Sequence, residues 1–156
     1  MLSNDILNAV KTYTATMKNK VSFVLQTGEH AKRSELKAFL SQLSSISENL
    51  TLVEGDVGLR SPITFYLAVD GENNGIHFSG IPSGHEFNSL ILAILHSSGT
   101  EQKLAPSITN MVKKIGQSLH FEVFISLSCH NCPDVVQSLN QFALLNDNIS
   151  SEMIDG

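Results

Sequence analysis

Two cysteines separated by two residues carry the most specific chemical signal in this sequence. Cys129 and Cys132 are the only cysteines of the chain, in the run Ser-Cys-His-Asn-Cys-Pro. An apolar run from Phe121 to Leu127 predicts a buried strand before them, and a helical pattern that includes Val135 follows. A Cys-x-x-Cys pair between a strand and a helix is typical of a thioredoxin-like dithiol, because a helix N-terminus lowers the pKa of a nearby thiol. We therefore predict thiol–disulfide exchange at this pair.

The residues around the pair refine its placement and roles. Pro133 is tolerated in the first turn of a helix but not in its interior, so the cysteines must lie at the helix start or just before it. Cys129, nearer the loop, is the expected attacking thiol, and Cys132 is the expected resolving thiol. His130 lies between them and is predicted to tune the thiolate electrostatically. Glu86 opens another predicted helix, either to stabilise its first turn or as a carboxylate that handles protons near the dithiol.

Other interpretations of the cysteine pair are weaker. A zinc site needs four ligands, and only one such pair is present, so no metal is predicted. Covalent haem attachment needs a histidine directly after the second cysteine, where this chain has Pro133. A purely structural, inert pair stays open as an alternative. The glycines form no Gly-x-Gly-x-x-Gly motif, so no dinucleotide cofactor is expected in this chain.

Composition limits the classes of protein to which the chain can belong. It has 156 residues, of which 42% are hydrophobic and 16% charged, as in a folded globular protein. A net charge of −5 gives no reason to expect nucleic acid or an anionic membrane as a partner. No apolar run approaches the roughly 20 residues that span a bilayer, and the N-terminus lacks the pattern of a signal peptide. We therefore expect a cytoplasmic protein, in which a close cysteine pair is redox-active or metal-binding more often than structural.

The order of predicted elements repeats along the chain. Residues 1–100 predict a leading helix and then β-α-β, a β-hairpin and a last helix, with hairpin turn signals at Asp70–Gly71 and Asn73–Gly75. Residues 101–156 predict a helix and then β-α-β only. The first two strands start 50 − 21 = 29 residues apart in the first part and 149 − 121 = 28 in the second. We therefore predict an α/β fold of tandem thioredoxin-like units, the first without cysteines and the second incomplete, with the cysteine pair.

These residues resemble a known family. The run Ser126–Gln137, with Gly-His-Glu-Phe at Gly84–Phe87, is similar to the N-terminal domain of the bacterial alkyl hydroperoxide reductase F subunit, and the likeness covers essentially the whole chain. It implies two fused thioredoxin-like units that share one sheet. It implies that Cys129 attacks a disulfide of the partner and Cys132 resolves the mixed disulfide, with Glu86 matching an acid near the dithiol.

The same resemblance implies partners and cofactors. A flavoprotein reductase module that uses FAD and NADH would supply electrons, although neither cofactor is expected in this chain. The recipient would be the disulfide of a peroxiredoxin, the alkyl hydroperoxide reductase C subunit, which reduces peroxides. The chain would then be part of an oxidoreductase.

The chain also departs from the family pattern. The family's domain continues past Asp155-Gly156 into a strand opened by a cis proline, so we expect a shortened second unit with an uncovered sheet edge that favours a homodimer. Pro62 holds the corresponding position in the first unit, and the sequence leaves its isomer open. The rival hypothesis is a non-catalytic docking or dimerisation module whose second unit is redox-incompetent.

Overall fold

The computed structural model describes residues 2–156 and builds them from five α-helices and six β-strands. In chain order these are α1 (Asn4–Thr14), β1 (Val21–Gln26), α2 (Arg33–Ser45), β2 (Leu50–Gly55), β3 (Thr64–Val69), β4 (Glu72–Ser79), α3 (Phe87–Ser97), α4 (Pro106–Lys113), β5 (Leu119–Ile125), α5 (Cys132–Leu145) and β6 (Ile149–Asp155). A 3₁₀ turn at Gly84–Glu86 leads into α3. The α/β class predicted from the sequence is confirmed.

One mixed sheet contains all six strands, in the order β2-β1-β3-β4-β6-β5. The pairs β1–β2, β4–β6 and β5–β6 are parallel, and β3 is antiparallel to both β1 and β4. The β-α-β crossovers through α2 and α5 connect the two parallel pairs of sequence neighbours, as parallel strands require. Because β6 pairs with β4, the sheet runs without a break from the first hundred residues into the rest. The division into two units at residue 100 stays a prediction.

The hydrophobic core lies on one face of this sheet. Strand register puts Leu25, Phe65, Phe78 and Met153 on the same face, because each is paired with the next across neighbouring strands. Buried side chains from all five helices join this cluster, whereas Val24 and other buried strand residues of the opposite face do not. The connection from β2 to β3 contains no helix, which leaves the opposite face without a helical layer. The fold therefore has two layers.

Aromatic packing fixes the middle of the core. The rings of Phe23 and Phe65 meet edge to face with centroids 5.9 Å apart, and those of Phe65 and Phe78 stack at 5.3 Å. All three side chains are fully buried. Burial of a phenyl side chain contributes about 1.5–3 kcal/mol to stability, so this trio stabilises the packing of β1, β3 and β4 in the core.

Charged side chains join strands across the face that has no helical layer. Arg60 Nε donates to Glu152 Oε2 at 2.6 Å, and Arg60 Nη2 lies 2.8 Å from Glu122 Oε1. Ser79 Oγ also donates to Glu152 Oε2, at 2.6 Å. Burial by itself raises the pKa of the Glu152 carboxyl, but these donors outweigh it, and the net pKa is lowered. A buried carboxylate on β6 is thus held ionised by residues that lie far from it in sequence.

Strand β5 is not the buried strand that its apolar run predicts. Its residues alternate, with Phe121 and Val123 half-buried while Glu122 and Phe124 are exposed, Phe124 at 67%. The reason is its place in the fold: β5 lies at an edge of the sheet, and helices cover only one face. An apolar residue at position 124 therefore points away from the core.

The β3–β4 hairpin is also tighter than predicted. Val69 pairs with Glu72, so Asp70 and Gly71 alone form the turn, with φ values of 54° and 80°. This is the geometry of a two-residue hairpin with both central residues at positive φ. The second predicted turn, Asn73–Gly75, is wrong, because these residues belong to β4. The question of Pro62 is answered as well: no peptide bond among the described residues is cis, so Pro62 is trans.

No helix within residues 2–156 is long and apolar enough to cross a membrane.

Candidate functional site

The two cysteines meet at the junction of β5 and α5. Cys129 lies in the loop after β5, Cys132 is the first residue of α5, and the two form a disulfide with their Cα atoms 5.6 Å apart. Both residues are half-buried. Pro133 lies in the first turn of α5. The Cys132 backbone N–H points at Cys129 Sγ at 3.2 Å, a contact that would stabilise a thiolate at Cys129 after reduction.

A short turn holds the Cys129 end of the site. The Cys129 backbone N–H donates to Ser126 O at 2.9 Å, and the hydroxyls of Ser126 and Ser128 lie 3.0 Å apart. These bonds close a tight loop directly after β5. The sulfur of Cys129 is therefore placed by the strand on one side and by the start of the helix on the other.

The 3₁₀ turn Gly84–Glu86 packs against this loop. The His85 backbone N–H donates to Leu127 O at 3.3 Å, and the rings of His85 and His130 lie 4.4 Å apart between centroids. Gly84 has a φ of 56°, and a Cβ added to it would lie 3.0 Å from Leu127 O. The two segments that carry the resemblance, Gly-His-Glu-Phe and the cysteine run, are thus neighbours in space. Nothing in the spacing of the residues predicts that His85 lies beside the cysteine loop, and the only signal for it is the resemblance that the two segments share.

Glu86 is completely buried beside this turn. Its Oε1 accepts a hydrogen bond from Ser89 Oγ at 2.7 Å, whereas Oε2 has no hydrogen-bond partner among the described residues. Burial raises the pKa of the Glu86 carboxyl above its ordinary value, and Ser89 and His85 offset this only in part. A carboxyl with a raised pKa exchanges protons closer to neutral pH than an exposed one, as acid–base catalysis requires. Stabilisation of a helix start does not need a buried carboxylate.

We expect Glu86→Gln to be more stable than the original chain at pH 7.5. Because the folded pKa is raised, the folded state binds the proton more tightly, so stability falls as the pH rises from the unfolded pKa through the folded pKa. The neutral amide of the variant avoids the free-energy cost of ionising a buried carboxyl group. Each kcal/mol gained raises the Tm by about 2–4 °C in a chain of this size. Thermal unfolding at pH 4 and pH 7.5 checks it.

The difference between the two proteins is expected to shrink at pH 4, below the ordinary glutamate pKa of about 4.3, because most molecules then carry the Glu86 proton in both states. Asp134→Asn, which changes an exposed carboxylate in the first turn of α5, is the control and is expected to cost no more than about 0.5 kcal/mol. A Glu86→Gln protein that is equally destabilised at both pH values would contradict the interpretation of the buried charge.

Gly84→Ala is expected to lower both stability and the rate of dithiol exchange. An alanine at positive φ costs about 1–2 kcal/mol, and its Cβ would push the turn away from Leu127 O. Thermal unfolding and the rate at which the reduced protein reacts with a small disulfide measure the two effects. Gly71→Ala is the matched control, because Gly71 has a φ of 80° with no atom within 4 Å of an added Cβ. The control is expected to lose stability with an unchanged exchange rate, and equal rates in both variants would contradict a role for the contact.

Metal-binding geometry is absent from the part of the chain that the structure describes: no three or more His, Cys, Asp or Glu side chains there are grouped to hold an ion. His77 and His120 lie side by side on the face of the sheet that has no helical layer, with ring centroids 6.2 Å apart. His96 lies in a groove between α3 and α5. These histidines are therefore separate from the cysteine pair.

No family model matches the sequence. Among curated proteins, the alkyl hydroperoxide reductase F subunit of Staphylococcus aureus (strain NCTC 8325 / PS 47) is 45% identical over 156 residues, which is all of this chain and 30% of that protein. Its counterpart in Staphylococcus epidermidis is 42% identical over the same length. The chain spans about 30% of the length of the curated relatives it matches.

Solved structures give the same match in three dimensions. The NTD_N/C domain of alkylhydroperoxide reductase AhpF from Enterococcus faecalis (V583) superimposes with a TM-score of 0.90 at 29% identity, over 99% of this chain and 80% of that chain. The C503A mutant of AhpF from the same organism gives a TM-score of 0.88 at 30% identity, over 99% and 79%. A protein disulfide oxidoreductase from Aeropyrum pernix shares the fold, with a TM-score of 0.79 at 19% identity over 97% and 75%.

Proposed function

Because this chain belongs to the family of alkyl hydroperoxide reductase F subunits, as a counterpart of their N-terminal region, we propose that it transfers electrons by dithiol–disulfide exchange. One observation carries this proposal. The Cys129–Cys132 disulfide is half-exposed at the start of α5, beside a turn that holds the buried carboxyl group of Glu86. A reachable sulfur pair, a helix N-terminus and a nearby proton acceptor are what such exchange requires.

The reaction begins from the reduced pair. The Cys129 thiolate attacks one sulfur of the partner's disulfide, that S–S bond breaks, and the displaced sulfur leaves as a thiolate that takes up a proton. Glu86 removes the proton of the Cys132 thiol. The Cys132 thiolate then attacks Cys129 Sγ, the intramolecular disulfide forms, and the partner's second sulfur leaves as a thiolate. The partner gains two electrons and the pair loses two, which yields the disulfide present in the structure.

The family suggests the two redox partners. A flavoprotein reductase module, which uses FAD and NADH, would reduce the Cys129–Cys132 disulfide. The recipient would be the disulfide of a peroxiredoxin, the alkyl hydroperoxide reductase C subunit, and the location would be the cytoplasm. His130 and Pro133 would adjust the dithiol, His130 by its charge next to Cys129 and Pro133 by fixing the first turn of α5.

Reconstitution of the electron path tests the proposal. Peroxide is supplied to a peroxiredoxin and a thioredoxin-reductase-like flavoprotein with NADH, with and without the chain, and NADH oxidation is recorded. We expect peroxide-dependent oxidation only when the chain is present. A variant with both cysteines replaced by serine is the matched control and is expected to give the background rate. Oxidation that is the same with this variant as with the original chain would contradict electron transfer.

A non-catalytic role in self-association is the second candidate, and one observation favours it. Strand β5 lies at a sheet edge, where its backbone groups on one side have no strand partner among the described residues, and Phe124 is 67% exposed there. Such an edge is a template for pairing with a second copy. Phe124→Lys would then reduce the molar mass measured by light scattering from that of a dimer to that of a monomer. A monomeric original chain would exclude this candidate.

A further inference from the structure

A chain of three hydrogen-bonded side chains joins Glu86 to the helix that carries the dithiol. Ser89 Oγ donates to Glu86 Oε1 at 2.7 Å and accepts from Gln137 Nε2 at 3.1 Å. Glu86 and Ser89 are both fully buried. Gln137 belongs to α5, about one and a half turns beyond Cys132. The only hydrogen bond to the Glu86 carboxyl from a described side chain is therefore the one that Ser89 makes.

Ser89 also borders a groove between α3 and α5. The groove has a volume of about 260 Å³, and its lining includes Ser89, Gln137 and Asn140 but not Glu86. Asn140 is 3% exposed, and neither polar atom of its side chain has a hydrogen-bond partner among the described residues. Buried amides without a protein partner bind water, and the groove has room for several water molecules at about 30 Å³ each. Ser89 therefore lies between the buried carboxyl and this groove, and it is itself closed to bulk solvent.

Few charged or titratable groups lie near the hydrogen-bonded side chains of Glu86, Ser89 and Gln137. His85 directly precedes Glu86 and contacts His130 on the cysteine loop. Asp134 of α5 and His96 of α3 line the groove. No lysine, arginine or histidine among the described residues forms an ion pair with Glu86, so its proton has no route through a charged partner.

The reaction requires such a route. In the proposed function, Glu86 takes up the Cys132 proton during the resolving step and must pass a proton on, yet its side chain has no contact with solvent. We propose, building on that role of Glu86, that Ser89 relays this proton between Glu86 and water in the α3–α5 groove, and that Gln137 orients Ser89. Ser89 Oγ takes the proton from Glu86 Oε1 while its own hydroxyl proton passes to a water molecule. One proton is transferred, and no charge is left on Ser89.

The two steps of dithiol oxidation can be followed separately. The reduced chain is mixed with 5,5′-dithiobis(2-nitrobenzoate), a small aromatic disulfide that releases one coloured thiolate when Cys129 attacks and a second when Cys132 resolves. We expect Ser89→Ala to leave the first phase unchanged and to slow the second about tenfold at pH 7. In a plot of the second-phase rate against pH, the acid limb of Ser89→Ala is expected to shift to higher pH. The reason is that the variant loses the hydrogen bond that stabilises the Glu86 carboxylate.

Matched variants separate a relay from a packing effect. Ser89→Thr keeps the hydroxyl and is expected to retain the original pH profile, whereas Gln137→Leu is expected to slow the second phase about two- to threefold. Ser138→Ala removes a hydroxyl that borders the same groove but donates to Asp134 O, and we expect no change. An equal slowing by Ser138→Ala, or an unshifted profile in Ser89→Ala, would overturn the relay.

The Glu86→Gln variant distinguishes the relay from the function on which it rests. If Glu86→Gln leaves the second phase unchanged, the role of Glu86 fails and the relay fails with it. If Glu86→Gln slows that phase but Ser89→Ala does not, only the relay is overturned. In a variant that carries both Glu86→Gln and Ser89→Ala, we expect no slowing beyond that of Glu86→Gln alone. An amide at position 86 takes up no proton from Cys132, so Ser89 has none to relay. Additive slowing would show that Ser89 acts by packing, against the proposal.

Discussion

A Cys132→Ser variant is expected to accumulate a covalent complex with the peroxiredoxin, whereas Cys129→Ser is expected to form none. Cys129 lies in the loop before α5, half-buried like Cys132, and receives the Cys132 backbone N–H, so its thiolate is the one stabilised for attack. Without Cys132, the mixed disulfide cannot be resolved. Turnover is expected to fall by at least about a thousandfold in both variants, since each step needs its own thiolate. Non-reducing electrophoresis detects the complex.

The control for trapping is the rate at which each remaining cysteine is alkylated. We expect Cys129 in the Cys132→Ser variant to react at pH 7 faster than a model thiol, of which only about 3% is thiolate at that pH. Equal trapping by the two variants, or trapping by neither, would contradict the assignment of roles. An alkylation rate no faster than that of the model thiol would favour the non-catalytic alternative.

Replacement of Arg60 by methionine is expected to destabilise the fold by about 2–3 kcal/mol, which is a fall in Tm of about 4–12 °C. The change leaves the buried Glu152 carboxylate with the Ser79 hydroxyl as its close donor. Arg60 is itself 39% exposed, so the loss stays below that of a fully buried ion pair. Thermal and urea unfolding at pH 7 measure it.

The pH dependence of this loss follows from the lowered pKa of Glu152. A lowered folded pKa gives stability that is present above the unfolded pKa and is lost as the pH falls through the folded value. The difference between Arg60→Met and the original chain is therefore expected to narrow below about pH 4. Glu122→Gln is the matched control, because it breaks the other, more exposed bond of Arg60 and is expected to cost less than about 1 kcal/mol. Equal losses in both variants would contradict the special role of the buried carboxylate.

Local patterns predicted the elements and the place of the dithiol well. Apolar residues spaced on one helical face, as in α2 and α5, report burial against a sheet, and Pro133 marks the start of a helix because its ring fits only the first turn. The α/β class follows from the alternation of such segments. These signals lie within a few residues of one another, so they can be read without knowledge of the tertiary structure.

Features that depend on distant segments could not be predicted in this way. The exposure of Phe124 follows from the pairing of β6 with β4, which leaves β5 at an edge, and from helices that cover one face only. The burial of Glu86 follows from packing of its turn on a loop some forty residues later in the chain. Ser89 and Gln137 are polar residues on amphipathic helices, and nothing in their spacing indicates that they bond to each other.

The single helical layer has a consequence for sequence variation. Along β5, substitutions are expected to be tolerated with a period of two residues rather than in blocks. The open face is the one without a helical layer, and changes at its exposed positions, such as Phe124 and His120, are expected to cost little stability. Truncation of Met153, on the face that the helices cover, is expected to lower the free energy of unfolding by about 2–5 kcal/mol. Glu152 and Ile154 of β6 do not follow this pattern, since both lie on the open face and yet are buried, Glu152 under Arg60. Related sequences can therefore diverge at the exposed positions of β5 while the residues that face the helices stay nearly fixed.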